Sequence, residues 1–213
     1  MHTRSEKRLT AVLVLNLLLI AALVIVGLGA HSLGVLAAGG DYLADASAIG
    51  VSLLAIRLAR RLPTLERPDG YPNATNIAAL INAGWLLILN IGIVVTAIHR
   101  LASGVPEVHG LPVLIVSGIA AAVMLVGALI LGGDIDDDDD EEEDLNMKAV
   151  LLDTAADAVA AGGVAITGAI ILAKAGWYWL DPTVALIIAV VVGYHAVRLI
   201  RKVVTALKAA KRL

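Results

Sequence analysis

Six long apolar stretches alternate with short polar ones along this chain, over roughly residues 9–30, 33–62, 76–101, 111–131, 146–175 and 183–200. Each holds ~20 or more mostly apolar residues, enough for an α-helix to cross a hydrocarbon layer ~30 Å thick. No stretch needs the strict apolar/polar alternation of a strand. The pattern therefore predicts an all-α fold, a six-helix transmembrane bundle. The first stretch begins like a signal peptide, but its length and the lack of a polar cleavage region after it favour a retained helix. The connectors carry breaker residues. Pro63, Pro68, Gly70 and Pro72 lie between the second and third stretches, and Ser103-Gly104-Val105-Pro106 lies between the third and fourth. An acidic run at 134–144 separates the fourth from the fifth. Gly176-Trp177-Tyr178-Trp179-Leu180-Asp181-Pro182 reads as a tight aromatic turn before the sixth.

Composition agrees with a membrane protein. Of 213 residues, 59% are hydrophobic and only 16% charged, and the mean hydropathy is +0.88. The net charge of -3 is a poor guide, because ten of the 19 acidic residues fall in the run 134–144. No basic patch is interleaved with aromatics, which argues against a nucleic-acid surface. The lack of cysteine excludes thiolate ligands, disulfides and thiol catalysis. Lys and Arg set the orientation. With both termini in the cytoplasm, 14 of the 16 basic residues fall inside, and only Arg100 and Lys174 fall outside. Trp177, Tyr178 and Trp179 then lie at the outer interface, where amphipathic rings favour the headgroup level. The expected partition is a cytoplasmic N-terminus at 1–8 and a six-helix domain at 9–200 with an acidic cytoplasmic loop at 133–145. A basic cytoplasmic tail at 201–213 completes it. The expected location is a membrane that the protein crosses several times.

Four acidic residues break the apolar pattern. Asp41 and Asp45 lie in the second stretch and Asp153 and Asp157 in the fifth. On a helix, the i, i+4 spacing puts both carboxylates of a pair on one face. A charge at this depth costs roughly 2.5–3.5 kcal/mol on insertion scales, so it calls for a reason. Two such pairs facing each other would form a cage of oxygen donors for a divalent cation. Without an ion the carboxylates repel and some hold protons, and a metal would displace those protons. The linkage predicts exchange of metal for protons by alternating access. The structural alternative is that the aspartates are helix caps or interhelical hydrogen-bond partners. Small residues flank both pairs: Gly39, Gly40, Ala44 and Ala46 on one, Ala155, Ala156, Ala158, Gly162 and Gly163 on the other. They allow close helix approach.

These residues carry a resemblance. Asp41-x-x-x-Asp45, Asp153-x-x-x-Asp157, the segment from His31 to Ala37 and the loop from Trp177 to Pro182 resemble the transmembrane domain of the cation diffusion facilitators. The likeness covers about residues 9–205. It implies a six-helix metal/proton antiporter with its metal site on the second and fifth helices. The loop is similar to that of the bacterial zinc/cadmium/cobalt branch, so the implied substrates are Zn²⁺ and also Cd²⁺. The resemblance also implies a homodimer. Three departures stand out. Zinc exporters of this kind usually place a histidine in the tetrad, whereas positions 41 and 153 are both Asp. An all-oxygen site suits Mn²⁺ or Fe²⁺ on ligand grounds, although zinc also binds carboxylates. The soluble C-terminal domain usual in the family is expected to be absent, leaving a dimer to its membrane helices. The second-to-third connector, with Asp69, is expected to hold no strong metal site.

The remaining polar residues have plainer readings. The acidic run is either a solvated loop or a weak cation funnel. His2 is a solvated terminal residue, His31 a hydrogen-bonding helix-start residue, His99 and His109 surface residues, and His195 a packing or interfacial residue. Asn16, Asn82 and Asn90 are expected to hydrogen-bond between helices. Tyr42 faces away from the first aspartate pair. The basic tail is expected along the inner leaflet, attracted to anionic lipid, or as a simple continuation of helix six. No nucleophile–base arrangement suggests an enzyme. An intramembrane metalloprotease would need a His-Glu-x-x-His helix that this chain does not contain. A membrane metal-binding scaffold without transport is the other alternative.

Overall fold

The computed structural model describes residues 17–59, 74–133 and 141–210. Among the described residues the chain is helical apart from short connectors, with no strand. The six helices are α1 (Leu17–Gly29), α2 (Leu33–Ala59), α3 (Ala74–Ser103), α4 (Gly110–Gly133), α5 (Glu141–Ala173) and α6 (Leu180–Ala210). Stretches of α3, α4, α5 and α6 are each long and apolar enough to cross a membrane. The sequence pattern thus places the helices correctly. The connector 63–72, with Asp69, and Asn16 lie outside the described residues.

Two boundaries differ from expectation. Helix α5 begins at Glu141, inside the acidic run, and not near Asn146. Helix α6 continues through the basic segment to Ala210, which bears out the alternative of a simple continuation of helix six over a separate tail from 201. At ~1.5 Å per residue, helices of 33 and 31 residues exceed a ~30 Å hydrocarbon layer. Their polar ends can project beyond it without breaking the helix. Acidic residues also suit a helix N-terminus, where the macrodipole is positive. Helix α6 starts at Leu180, so Asp181 and Pro182 occupy its first turn, not a preceding loop. Pro is well placed there because the first-turn N–H groups have no helical partner.

The described residues divide into two compact units. One contains α1, α2 to Gly39, and Ala97–Ile188, and thus all of α4 and α5. Its interior is built from small and medium side chains, among them Leu23, Val35, Val113 and Val164. Close approach requires glycine at one contact of α4 with α5. A Cβ on Gly110 would sit 2.6 Å from the Gly168 carbonyl oxygen, and one on Gly168 would sit 2.6 Å from the Leu114 nitrogen. Helices pack this way in membranes because dispersion and shape replace the hydrophobic effect.

The other unit takes Gly40–Thr96 and α6 from Ala189. Its helix α3 is patterned inside out relative to a water-soluble helix. Ile77, Ile81, Trp85, Ile88, Ile91 and Val95 recur every three or four residues and are exposed. Ala78, Ala83 and Asn90 are buried. Within this unit the Ser47 hydroxyl donates to Asn82 Oδ1 at 3.1 Å, joining α2 to α3 as expected of Asn82. Asn90 differs: its amide donates to the Leu86 carbonyl of its own helix at 3.0 Å.

Candidate metal centre

The first aspartate pair sits near the middle of α2. Asp45 lies 12 residues after Leu33 and 14 before Ala59. Asp41 and Asp45 are both half-buried, while Tyr42 and Ala44 on other faces of the same turns are buried. The second pair occupies an equivalent position in its own helix. Asp157 lies 16 residues after Glu141 and 16 before Ala173. Asp157 is half-buried and Asp153 exposed. Thr154, between them, faces Gly127 of α4, its methyl 3.7 Å from where a Cβ on that glycine would lie.

Spacing thus brings Asp41 together with Asp45, and Asp153 together with Asp157, one helical turn apart in each case. The α2 pair belongs to the unit that begins at Gly40 and the α5 pair to the unit that contains α4. Within either unit, among the described residues, no three His, Asp or Glu side chains gather into a group able to hold one ion. Of the acidic run, residues 134–140 lie outside the described residues and 141–144 form the start of α5.

The start of α2 is held by a residue whose part the sequence reading did not assign. Asp181, in the first turn of α6, is fully buried. Its Oδ2 accepts the Leu33 N–H at 2.6 Å, and its Oδ1 accepts the Gly34 N–H at 3.1 Å and the Ser32 hydroxyl at 2.5 Å. Ser32 Oγ in turn accepts the Val35 N–H at 3.1 Å, as an N-cap serine does. A helix N-terminus leaves its first N–H groups without partners. Here Leu33, Gly34 and Val35 are all satisfied, and the carboxylate also meets the positive end of the helix dipole. Gly34 leaves room for the carboxylate: a Cβ there would lie 3.2 Å from Asp181 Oδ1 and from Val164 Cγ1. Asp181 therefore fixes the end of the helix that carries Asp41 two turns further on. The available signal was an acid followed by proline at a predicted helix start. Its partners lie 147 to 149 residues away, beyond any local pattern.

Two further histidines and the tryptophans before α6 lie at the surface. His99 and His195 are exposed, and the His195 ring lies 5.9 Å from that of Tyr194. Gly176 has φ +95°, as a tight turn requires. Lys174 Nζ sits 4.7 Å from the centre of the exposed Trp177 ring.

Known proteins are similar to this chain. The chain matches the cation efflux transmembrane domain over residues 9–207. It is 33% identical over 195 residues to the zinc transporter ZitB of Pectobacterium atrosepticum, covering 90% of this chain and 58% of that protein. It is 31% identical over 196 residues to the cadmium, cobalt and zinc/H(+)-K(+) antiporter of Bacillus velezensis, covering 88% and 60%. It is also 34% identical over 213 residues to the zinc transporter ttm-1 of Caenorhabditis elegans, covering 94% and 52%. The chain thus spans between half and about three fifths of the length of these relatives.

Proposed function

Because the chain belongs to the cation diffusion facilitator family, we propose that it exports a divalent metal ion from the cytoplasm in exchange for protons. Zn²⁺ is the first substrate and Cd²⁺ a second, in keeping with the zinc transporters and the cadmium, cobalt and zinc antiporter to which it is similar. The observation that carries this reading is the pair of i, i+4 aspartates near the middle of each of two helices, α2 and α5. Asp41, Asp45, Asp153 and Asp157 are the proposed ligands and proton carriers.

The chemistry follows from the residue type. A carboxylate binds either a proton or a cation, and two carboxylates one turn apart repel unless one of them does. A metal ion arriving from the cytoplasm displaces protons. After the carrier switches to face the other side, protons from that side displace the metal. No covalent step is involved. Both termini lie in the cytoplasm, as the Lys and Arg distribution favours, and the protein acts as a homodimer in the inner membrane.

A second reading is that Mn²⁺ or Fe²⁺ is the preferred cargo. It is favoured by Asp at both 41 and 153, which leaves the tetrad without nitrogen ligands. Purified protein reconstituted into vesicles with an imposed proton gradient tests both. Zinc flux that acidifies or alkalinises the lumen in step with metal movement is expected. Flux of manganese or iron in preference to zinc would select the second reading. Absence of flux for zinc, cadmium, manganese and iron alike would leave only the scaffold alternative.

A further inference from the structure

We propose that His31 and His109 form a separate metal site, in which two imidazoles take a divalent transition-metal ion and water completes its coordination. The site lies wholly within the unit that contains α4 and α5 and uses none of the four aspartates, so it does not rest on the transport reading.

The argument begins with the end of α1. The Ser32 N–H donates to the Gly27 carbonyl at 3.0 Å and the His31 N–H donates to the Leu28 carbonyl at 3.3 Å. This is the pair of bonds of a Schellman turn, and it puts His31 at the left-handed position where glycine is usual. His31 has φ +56°. Histidine tolerates this region better than most side chains, yet it still costs more than glycine there. An imidazole thus stands where the backbone alone would favour no side chain.

What surrounds it is built to hold it still. Arg100 Nη1 donates to the His31 carbonyl at 2.6 Å. The His109 N–H donates to the carbonyl of Ala30 at 3.2 Å. The α1–α2 turn is therefore stitched to the segment that leads into α4. Both rings are exposed, with centroids 6.3 Å apart and planes inclined by 40°. With metal–nitrogen bonds of ~2.0–2.1 Å, two imidazoles on one ion have ring centroids roughly 5–6 Å apart. Small ring rotations close that difference. Imidazole favours zinc, copper, nickel and cobalt over magnesium or calcium. Among the described residues no third His, Asp or Glu joins the pair, so the site is open and its ion exchangeable.

Cu²⁺ added alone to the purified full chain, read by electron paramagnetic resonance, tests this. The four aspartates offer only oxygen, and replacing His2, His99 and His195 by alanine in the protein used leaves His31 and His109 as its only imidazoles. The expected result is one Cu²⁺ coupled to two imidazole nitrogens, with that coupling lost or reduced to one nitrogen in His31→Gly and in His109→Asn. His31→Gly installs the residue the backbone prefers, so its thermal midpoint should hold or rise, which separates lost binding from misfolding. Nitrogen coupling that is unchanged in both variants, or a purely oxygen-coordinated spectrum from the unmodified chain, would overturn the proposal.

Discussion

Asp181 and the mid-helix aspartates are the same residue type handled in opposite ways. Asp181 stands at a helix start, where backbone N–H groups lack helical partners, and it gathers two of them and a hydroxyl. Asp41, Asp45, Asp153 and Asp157 stand in helix interiors, where each backbone N–H is already committed to a carbonyl four residues back. No orphan donor is available to them from their own helix. The contrast teaches where to look for function among membrane carboxylates. One saturated by helix-terminal donors is structural, whereas one placed mid-helix must find its compensation in another side chain, a proton or a cation.

The sharpest way to break that contrast is to remove one aspartate of each kind. Asp157→Ala should lower Zn²⁺ affinity by at least about 100-fold, since loss of groups that merely support a ligand already costs 10–100-fold. Its thermal midpoint without metal should change little. Isothermal titration beside a melting curve reads both, and tight binding that survives would remove Asp157 from the site. Asp181→Ala should do the reverse, destabilising the fold by about 3 kcal/mol because buried donors lose a charged acceptor. Faster hydrogen exchange at the Leu33 and Gly34 amides would localise the damage, and unchanged exchange there would refute the capping role. Asp181→Asn, which keeps one acceptor, should fall between wild type and alanine.

Smaller effects sharpen the picture. Gly168→Ala adds a methyl 2.6 Å from the Leu114 nitrogen. Overpacking of this kind costs about 1–3 kcal/mol, and the lowered midpoint should leave Zn²⁺ affinity nearly intact. Ser47→Ala removes the bond to Asn82 beside the first aspartate pair. An interhelical hydrogen bond in a membrane averages about 0.6 kcal/mol, so a loss much above 1 kcal/mol in unfolding measurements would give Ser47 a larger part than its geometry suggests.

Much of the molecule was legible in the chain because membranes impose simple rules. Length and apolarity alone located the helices, and a spacing of four paired Asp41 with Asp45 and Asp153 with Asp157. The misplaced boundaries share one cause. The acidic residues 141–144 and the basic segment 201–210 lie outside the long apolar stretches, yet Glu, Lys, Arg and Ala are good helix formers, and α5 begins in the first group while α6 runs on through the second. Asp181 escaped notice because its partners are distant in sequence. Asn90 went astray for the opposite reason, since its own helix offered an acceptor one turn back.

The inverted patterning of α3 and the Gly110–Gly168 contact bear on how such a chain drifts over time. In a water-soluble protein the large interior side chains are the ones that resist exchange. Here Ile81, Ile88 and Ile91 face outward, where Leu, Val or Met would serve as well, while Gly110 and Gly168 admit no added methyl. A saturation scan of this protein would therefore tolerate change at the outward isoleucines of α3 far better than at Gly110 or Gly168.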